Sequence, residues 1–204
     1  MRDPQFIIFT GPMFGSKTTR MLAAIDRLQW QKRKYAAFKP KIDDRYGTRR
    51  ISTHNGGSIE AFEVATGEEL LEVYNERVGY DIVAVDEAFM IKGAGEALVN
   101  LFKLGNTVIV SSLQLSSWGE PFEEMREMMP WATKIEVCPA VCPVTGRDAY
   151  YSYCTKGPQE GILVGGAESY EPRCFQHHEY ISSLKPEEQE NDWVTTAQGE
   201  LYES

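Results

Sequence analysis

Two regimes of apolar and polar spacing divide this chain. Residues 5–10 (QFIIFT) form a short, nearly unbroken apolar run, which predicts a strand buried on both faces. A glycine-bearing turn, Gly11 to Ser16, follows it. Met21, Leu22, Ile25 and Leu28 then recur at the spacing of one helical face, predicting a helix over 17–33. Residues 35–39 predict a second strand, ended by Pro40, and 41–57 are polar and turn-rich, a surface loop. Further on, the pattern predicts a strand over 59–64, a helix over 67–78, a strand over 82–85, a helix over 95–104 and a strand over 107–111. Alternation of strand and helix is the signature of an open parallel sheet covered by helices on its faces, an α/β fold. After about residue 134 the style changes. Cys, Gly, Pro and Tyr become frequent and the segments shorten: a hairpin over 141–154, a loop over 154–161, a short strand over 162–164, and a Gly165-Gly166 turn leading to Tyr170.

A chain of 204 residues suits one ordinary domain with a small appendage. No apolar stretch reaches the ~20 residues that a bilayer-spanning helix needs. The first residues run into a strand with no signal-peptide pattern, so we expect a soluble cytoplasmic protein with no membrane partner. The net charge is −9, of which −5 falls in residues 185–204, an acidic stretch without periodicity that reads as a disordered tail. An acidic surface repels a nucleic-acid backbone, which argues against a dedicated nucleic-acid binder. Small phosphorylated ligands remain compatible, because local groups hold them. All four cysteines, Cys138, Cys142, Cys154 and Cys174, lie after residue 137, and in a cytoplasmic chain such clustering suggests a metal site or plain thiols before disulfides.

The chemistry concentrates at two points. Gly11, Pro12, Met13, Phe14, Gly15, Ser16, Lys17 and Thr18 lie between the first strand and the first helix, where a phosphate-binding loop belongs. Lys17 would reach the β- and γ-phosphates and the Thr18 hydroxyl a Mg²⁺ ion. The usual pattern places glycine immediately before the lysine, whereas here Gly15 comes one place early and Ser16 fills that position. If the position needs a positive φ, serine is strained there by roughly 1 kcal/mol or more. A glycine-bearing turn in any α/β protein shares this much. The second point is the run Ile82 to Val85 followed by Asp86-Glu87: an acid at a strand's carboxyl end, where open α/β sheets bind their ligands and where Mg²⁺ is held. A solvated acidic turn is the plainer alternative, and the order of the two motifs weighs against it.

Taken together, the motifs resemble those of the type II thymidine kinases, which combine a P-loop (RecA-like) domain with a small zinc-ribbon-like β lasso domain. The resemblance runs from about residue 6 to 180. It rests on Gly11-Pro12-Met13-Phe14, on Lys39-Pro40 with Asp43-Asp44-Arg45-Tyr46, and on Ser52-Thr53-His54. Val85-Asp86-Glu87-Ala88, Pro121-Phe122, Ala140-Val141-Cys142 and Val164-Gly165-Gly166-Ala167-Glu168-Ser169-Tyr170 add to it. It implies a phosphate-binding domain over 1–136, a lasso domain over 137–184, and phosphorylation of the thymidine 5′-hydroxyl with ATP and Mg²⁺. By the same resemblance Glu87 is the general base and Arg45 spreads charge off the transferred group. Asp86, Thr18 and Asp43 are associated with Mg²⁺. Met13, Leu113, Ser152, Val164, Gly165, Gly166 and Tyr170 hold the nucleoside. A homo-oligomer, often a tetramer, is implied as well.

The chain departs from the family pattern in places. Cys142, Cys174 and His177 match zinc ligands, but Thr145 stands where the fourth belongs, so zinc is left open. Cys138 or His178 could complete the set, or packing could hold the lobe without metal. No glutamine follows Ala88, and Gln114, Ser117 and Trp118 alter the nucleoside side, which admits deoxyuridine or a 5-modified pyrimidine as substrate. A catalytically weak nucleotide-binding or regulatory descendant of the same fold is the competing reading.

Overall fold

The computed structural model describes residues 3–43, 49–53, 56–77, 79–157 and 165–182. Arg45, Val164, the strand expected over 162–164 and the acidic segment 185–204 lie outside the described residues.

Six strands build the main sheet: β1 (Phe6–Thr10), β2 (Tyr35–Pro40), β5 (Phe62–Val64), β6 (Ile82–Asp86), β7 (Thr107–Ser111) and β8 (Lys134–Val137). Their order is β5-β2-β6-β7-β1-β8, and every neighbouring pair is parallel. Connections between them carry α1 (Lys17–Gln29), α2 (Gly67–Asn75), α3 (Ala94–Lys103) and α4 (Glu123–Met128).

The continuous apolar runs follow from burial on both sides. On one face Phe9, Ala37, Ile82, Ala84 and Ile109 pack against Met21 and Ile25 of α1. On the other, Ile8, Phe38, Val83, Val85, Val108 and Val110 pack against Leu70 of α2, Leu98 and Leu101 of α3, and Met125 and Met128 of α4. Each of the larger side chains among them contributes on the order of 1.5–3 kcal/mol of hydrophobic stabilisation. Alternate residues of β6 thus serve opposite helical layers, as a period of two requires.

Side chains finish the helix ends. Thr66 accepts the Glu69 N–H at 3.2 Å while the Glu69 carboxylate accepts the Ala65 N–H at 2.8 Å, a reciprocal cap on α2. The buried Glu124 carboxylate of α4 accepts the Gly93 and Gly95 N–H groups at 2.8 and 2.6 Å, placing negative charge at the start of α3.

Several elements differ from the sequence pattern. The first helix ends at Gln29 rather than residue 33, and the chain turns away with Lys32 at a φ of 60°. The run expected as one strand over 59–64 is two. Β4 (Ser58–Glu60) pairs antiparallel with β3 (Arg50–Ser52), inside what reads as a loop, and β5 joins the main sheet after buried Ala61. Helix α4 and strand β8 had no expectation. Beyond β8, the single hairpin expected over 141–154 is replaced by two antiparallel pairs. Β9 (Ala140–Val141) pairs with β10 (Asp148–Ala149), and β11 (Tyr151–Cys154) with β12 (Tyr170–Arg173). The last described helix, α5 (Glu179–Ser182), follows. The outcome places Thr10, Asp86 and Ser111, the last residues of three adjacent strands, along one edge of the sheet.

Candidate active site

At that edge the chain leaves β1 in a tight turn. Gly11 has a φ of +127°, and Phe14 and Ser16 stand in the left-handed region at 64° and 58°. Ser16 is the residue from which α1 begins. The crowding lies elsewhere. A Cβ on Gly11 or on Gly15 would stand 2.3 Å from the carbonyl oxygen of Cys138, whose N–H donates to Thr10 O at 2.7 Å. The loop therefore rests on the backbone just after β8, and position 15 must be glycine for space. Position 16 tolerates a side chain at the cost of a strained φ. Ser16→Gly is expected to leave the KM for ATP within about two-fold of the parent, since glycine adopts the same left-handed φ readily and the loop keeps its shape. Steady-state kinetics check this; loss of nucleotide binding would make the Ser16 hydroxyl a specific ligand.

Lys17 is buried, and its Nζ donates to Pro12 O at 2.6 Å, folding the side chain over the loop. The Thr18 hydroxyl donates to the Asp86 carboxylate, 3.1 Å from Oδ1 and 3.2 Å from Oδ2. Burial, followed by the neighbouring Glu87 charge, raises the Asp86 pKa well above the ordinary carboxylate range, while the Thr18 hydroxyl and the Lys17 ammonium act in the opposite direction. Glu87 adopts a left-handed φ of 51° and opens a short 3-10 turn at Ala88–Met90, so the chain bends sharply where β6 ends. Such a conformation costs a non-glycine residue about 1 kcal/mol or more and persists only where the surroundings enforce it.

These groups share one cleft of about 510 Å³. Lys17, Thr18, Asp43, Asp86 and Glu87 line it together, and Gly165 to Glu168, just before β12, complete the lining. The phosphate loop and the acid pair thus meet across a common space. Asp43 is nearly fully buried there.

Of the residues expected to hold a nucleoside, Met13, Gly165 and Gly166 line this cleft, and the Gly166 N–H donates to the Glu168 carboxylate at 2.6 Å. Leu113 and Ser152 are buried and do not line it. Ser152, on β11, accepts the Met13 N–H at 2.9 Å and so fastens the phosphate loop to the β11–β12 pair. Tyr170 opens β12 opposite Cys154, and burial raises its pKa. Two basic residues of the cleft had no expected role. Lys39, in β2, is almost wholly buried, and a charged residue near the end of an apolar strand is the signal that marks it. Arg50, from the unexpected β3, carried no signal, since its surroundings read as a polar loop.

The cysteine positions separate into distinct environments. Cys142 packs with Ala140, Ala149 and Cys174, while the Cys174 thiol lies 3.3 Å from His177 Nδ1 and 3.8 Å from the Thr145 hydroxyl. Cys138 belongs to the α1 side of the main core. His178 is fully buried. Its Nε2 donates to Ser152 O at 2.9 Å and its Nδ1 accepts the Ile181 N–H at 3.3 Å, so both ring nitrogens are engaged. Burial lowers its pKa, consistent with a neutral ring. Among the described residues no three Cys, His, Asp or Glu side chains are assembled as a metal-holding group. With a hydroxyl at position 145, the donor set does not complete a four-ligand structural zinc site. Thr145→Cys is expected to supply the missing thiolate and raise zinc affinity by at least about ten-fold, read by metal titration and a zinc-dependent rise in Tm. Unchanged zinc affinity would place position 145 outside any such cluster.

A parallel sheet whose first strand runs through a glycine-bearing loop into a helix, with Lys17, Thr18 and an acidic strand end around one cleft, defines a nucleotide-binding α/β protein of the P-loop class. A family model described as thymidine kinase matches residues 4–178. A thymidine kinase from Thermococcus kodakarensis is 41% identical over 181 residues, covering 84% of this chain and 92% of that protein. One from Pyrobaculum aerophilum is 34% identical over 180 residues, covering 84% and 97%. The chain belongs to the thymidine kinase family, and it is an enzyme of that kind.

Proposed function

We propose that this protein transfers the γ-phosphoryl group of ATP to the 5′-hydroxyl of thymidine or a closely related pyrimidine deoxynucleoside, with Glu87 as general base. One observation carries this reading: the phosphate loop, with Lys17 and Thr18, and the acid pair Asp86-Glu87 line the same cleft. The loop N–H groups and Lys17 hold the phosphates. The Thr18 hydroxyl and the Asp86 carboxylate, already within hydrogen-bond reach of each other, are hard oxygen donors that suit Mg²⁺, and Asp43 lines the same space. Bound there, the ion would supply positive charge against that developing on the phosphates.

An alcohol is a weak nucleophile, so the 5′-hydroxyl must lose its proton as its oxygen attacks the γ-phosphorus. The Glu87 carboxylate takes that proton. Arg45 spreads charge off the group in transfer. Gly165, Gly166 and Met13 border the acceptor side, with Leu113, Ser152, Val164 and Tyr170 shaping the nucleoside pocket; unpaired polar groups there penalise the wrong base. Residues 1–136 thus supply the phosphate chemistry, and 137–184, together with Met13 and Leu113, the nucleoside recognition.

We place the enzyme in the cytoplasm as a homo-oligomer acting on small molecules. No helix among the described residues is long and apolar enough to cross a membrane. Coupled ADP release with thymidine, deoxyuridine and 5-substituted analogues tests the reading, and thymidine-dependent turnover is expected. Tight ATP binding without turnover would make the protein a binding descendant of the fold. Hydrolysis stimulated by nucleic acid in the absence of nucleoside would point to another substrate altogether.

A further inference from the structure

Ser112 follows the last residue of β7 and is fully buried. Its hydrogen-bonding groups reach outward to three segments. The Ser112 N–H donates to Phe9 O at 3.1 Å, and its carbonyl accepts the Thr10 hydroxyl at 3.0 Å; both partners lie at the end of β1, immediately before the phosphate loop. Its hydroxyl donates to Leu113 O at 3.2 Å and accepts the Phe89 N–H, also at 3.2 Å. Phe89 lies two residues beyond Glu87, inside the 3-10 turn that Glu87 opens.

That last contact matters because of the conformation it restrains. The left-handed backbone at Glu87 is costly and must be enforced from outside. Within the turn, Met90 N–H donates to Glu87 O and Ile91 N–H to Ala88 O, each closing the turn on itself. The Phe89 N–H instead leaves the turn and binds Ser112. The Phe89 ring packs against Phe122 with centroids 4.5 Å apart, which secures the side chain but not the peptide plane. Among the described residues, the Ser112 hydroxyl is therefore a polar link that indexes the turn carrying Glu87 to the strand end from which the phosphate loop departs.

We propose that Ser112 is a positioning residue for phosphoryl transfer: by holding the Phe89 amide to the β1–β7 strand ends, it sets the placement of the Glu87 carboxylate relative to the bound phosphates. This inference rests on the proposed role of Glu87. Ser112→Ala leaves the buried Phe89 N–H without its acceptor, and the turn is then free to relax from the strained conformation. Geometry errors of about 1 Å at a reacting centre can cost up to ~10²-fold in rate.

The test compares Ser112→Ala and Ser112→Thr with the parent chain by steady-state kinetics, ATP binding and thermal unfolding. Ser112→Ala is expected to lower kcat by about ten-fold while the Kd for ATP stays within about two-fold, because the phosphate loop itself is intact. Ser112→Thr retains the hydroxyl and is expected to restore kcat to within about three-fold of the parent. Amide hydrogen exchange over residues 87–91 should accelerate in the alanine variant and not in the threonine variant. Parental kcat in Ser112→Ala would overturn the inference. So would a loss of activity that only tracks the unfolded fraction, or equal losses in both variants. Absence of thymidine turnover in the parent chain would sink the kinase reading and this inference with it, and is distinguishable because it precedes any substitution.

Discussion

Glu87→Gln is expected to lower kcat by about 10²–10⁴-fold, the usual scale for a lost general base. Glutamine matches glutamate in size and can occupy the same place in the cleft, but its amide cannot accept the proton of the 5′-hydroxyl. The adjacent Asp86 cannot take over. Its carboxylate is engaged by the Thr18 hydroxyl on the phosphate side of the cleft. Removing one negative charge leaves the phosphate loop untouched, so the affinities for ATP and thymidine should stay within about two-fold of the parent. Steady-state turnover together with calorimetric titration of each ligand checks both halves. Parental turnover would remove Glu87 from the role of base.

Gly15→Ala should be the most disruptive small substitution in the phosphate loop. The added Cβ would meet the Cys138 carbonyl oxygen at 2.3 Å, and Pro12 O at 3.2 Å, and both are backbone atoms with no rotamer to yield. Either the loop lifts off β8 or the end of β8 moves. Over-packing of this kind costs on the order of 1–3 kcal/mol, which lowers Tm by roughly 2–12 °C in a chain of this size. With the loop's N–H groups as the proposed phosphate cradle, ATP affinity should also fall by at least about ten-fold. Thermal unfolding and nucleotide titration check these effects. The same substitution with unchanged ATP affinity would show that the loop has room the geometry denies it.

The contrast between positions 15 and 16 illustrates how local chemistry and tertiary contact divide the work. Sequence spacing alone shows a glycine displaced by one residue and a serine in the place before Lys17. It correctly suggests a positive φ at Ser16, found at 58°, because that follows from the turn itself. It offers no reason for Gly15, since the obstacle is a carbonyl more than a hundred residues away in the chain. Glu87 behaves similarly. An acid pair after an apolar strand marks the site, but the left-handed turn at Glu87 and its tether to Ser112 depend on where β7 ends. Helix α4 was missed because its short segment, Glu123–Met128, offers too few turns for a clear period and is defined by packing against α3 and by Glu124 capping Gly93 and Gly95. Arg50 was missed because a three-residue hairpin strand carries almost no periodic signal.

From its residues alone this chain declares an α/β core, the location of a phosphate loop, an acid pair at a strand end and membership of a kinase lineage. Those features live in short segments, where apolar spacing and backbone chemistry act among near neighbours. Only the folded chain decides that Lys17 and Glu87 face one cleft, that Cys138 supports the phosphate loop, that His178 is a buried structural ring, and that Ser152 binds the loop to β11. Each of these is a contact between residues distant in the chain. Its partners are selected by strand order and register, which no local pattern encodes.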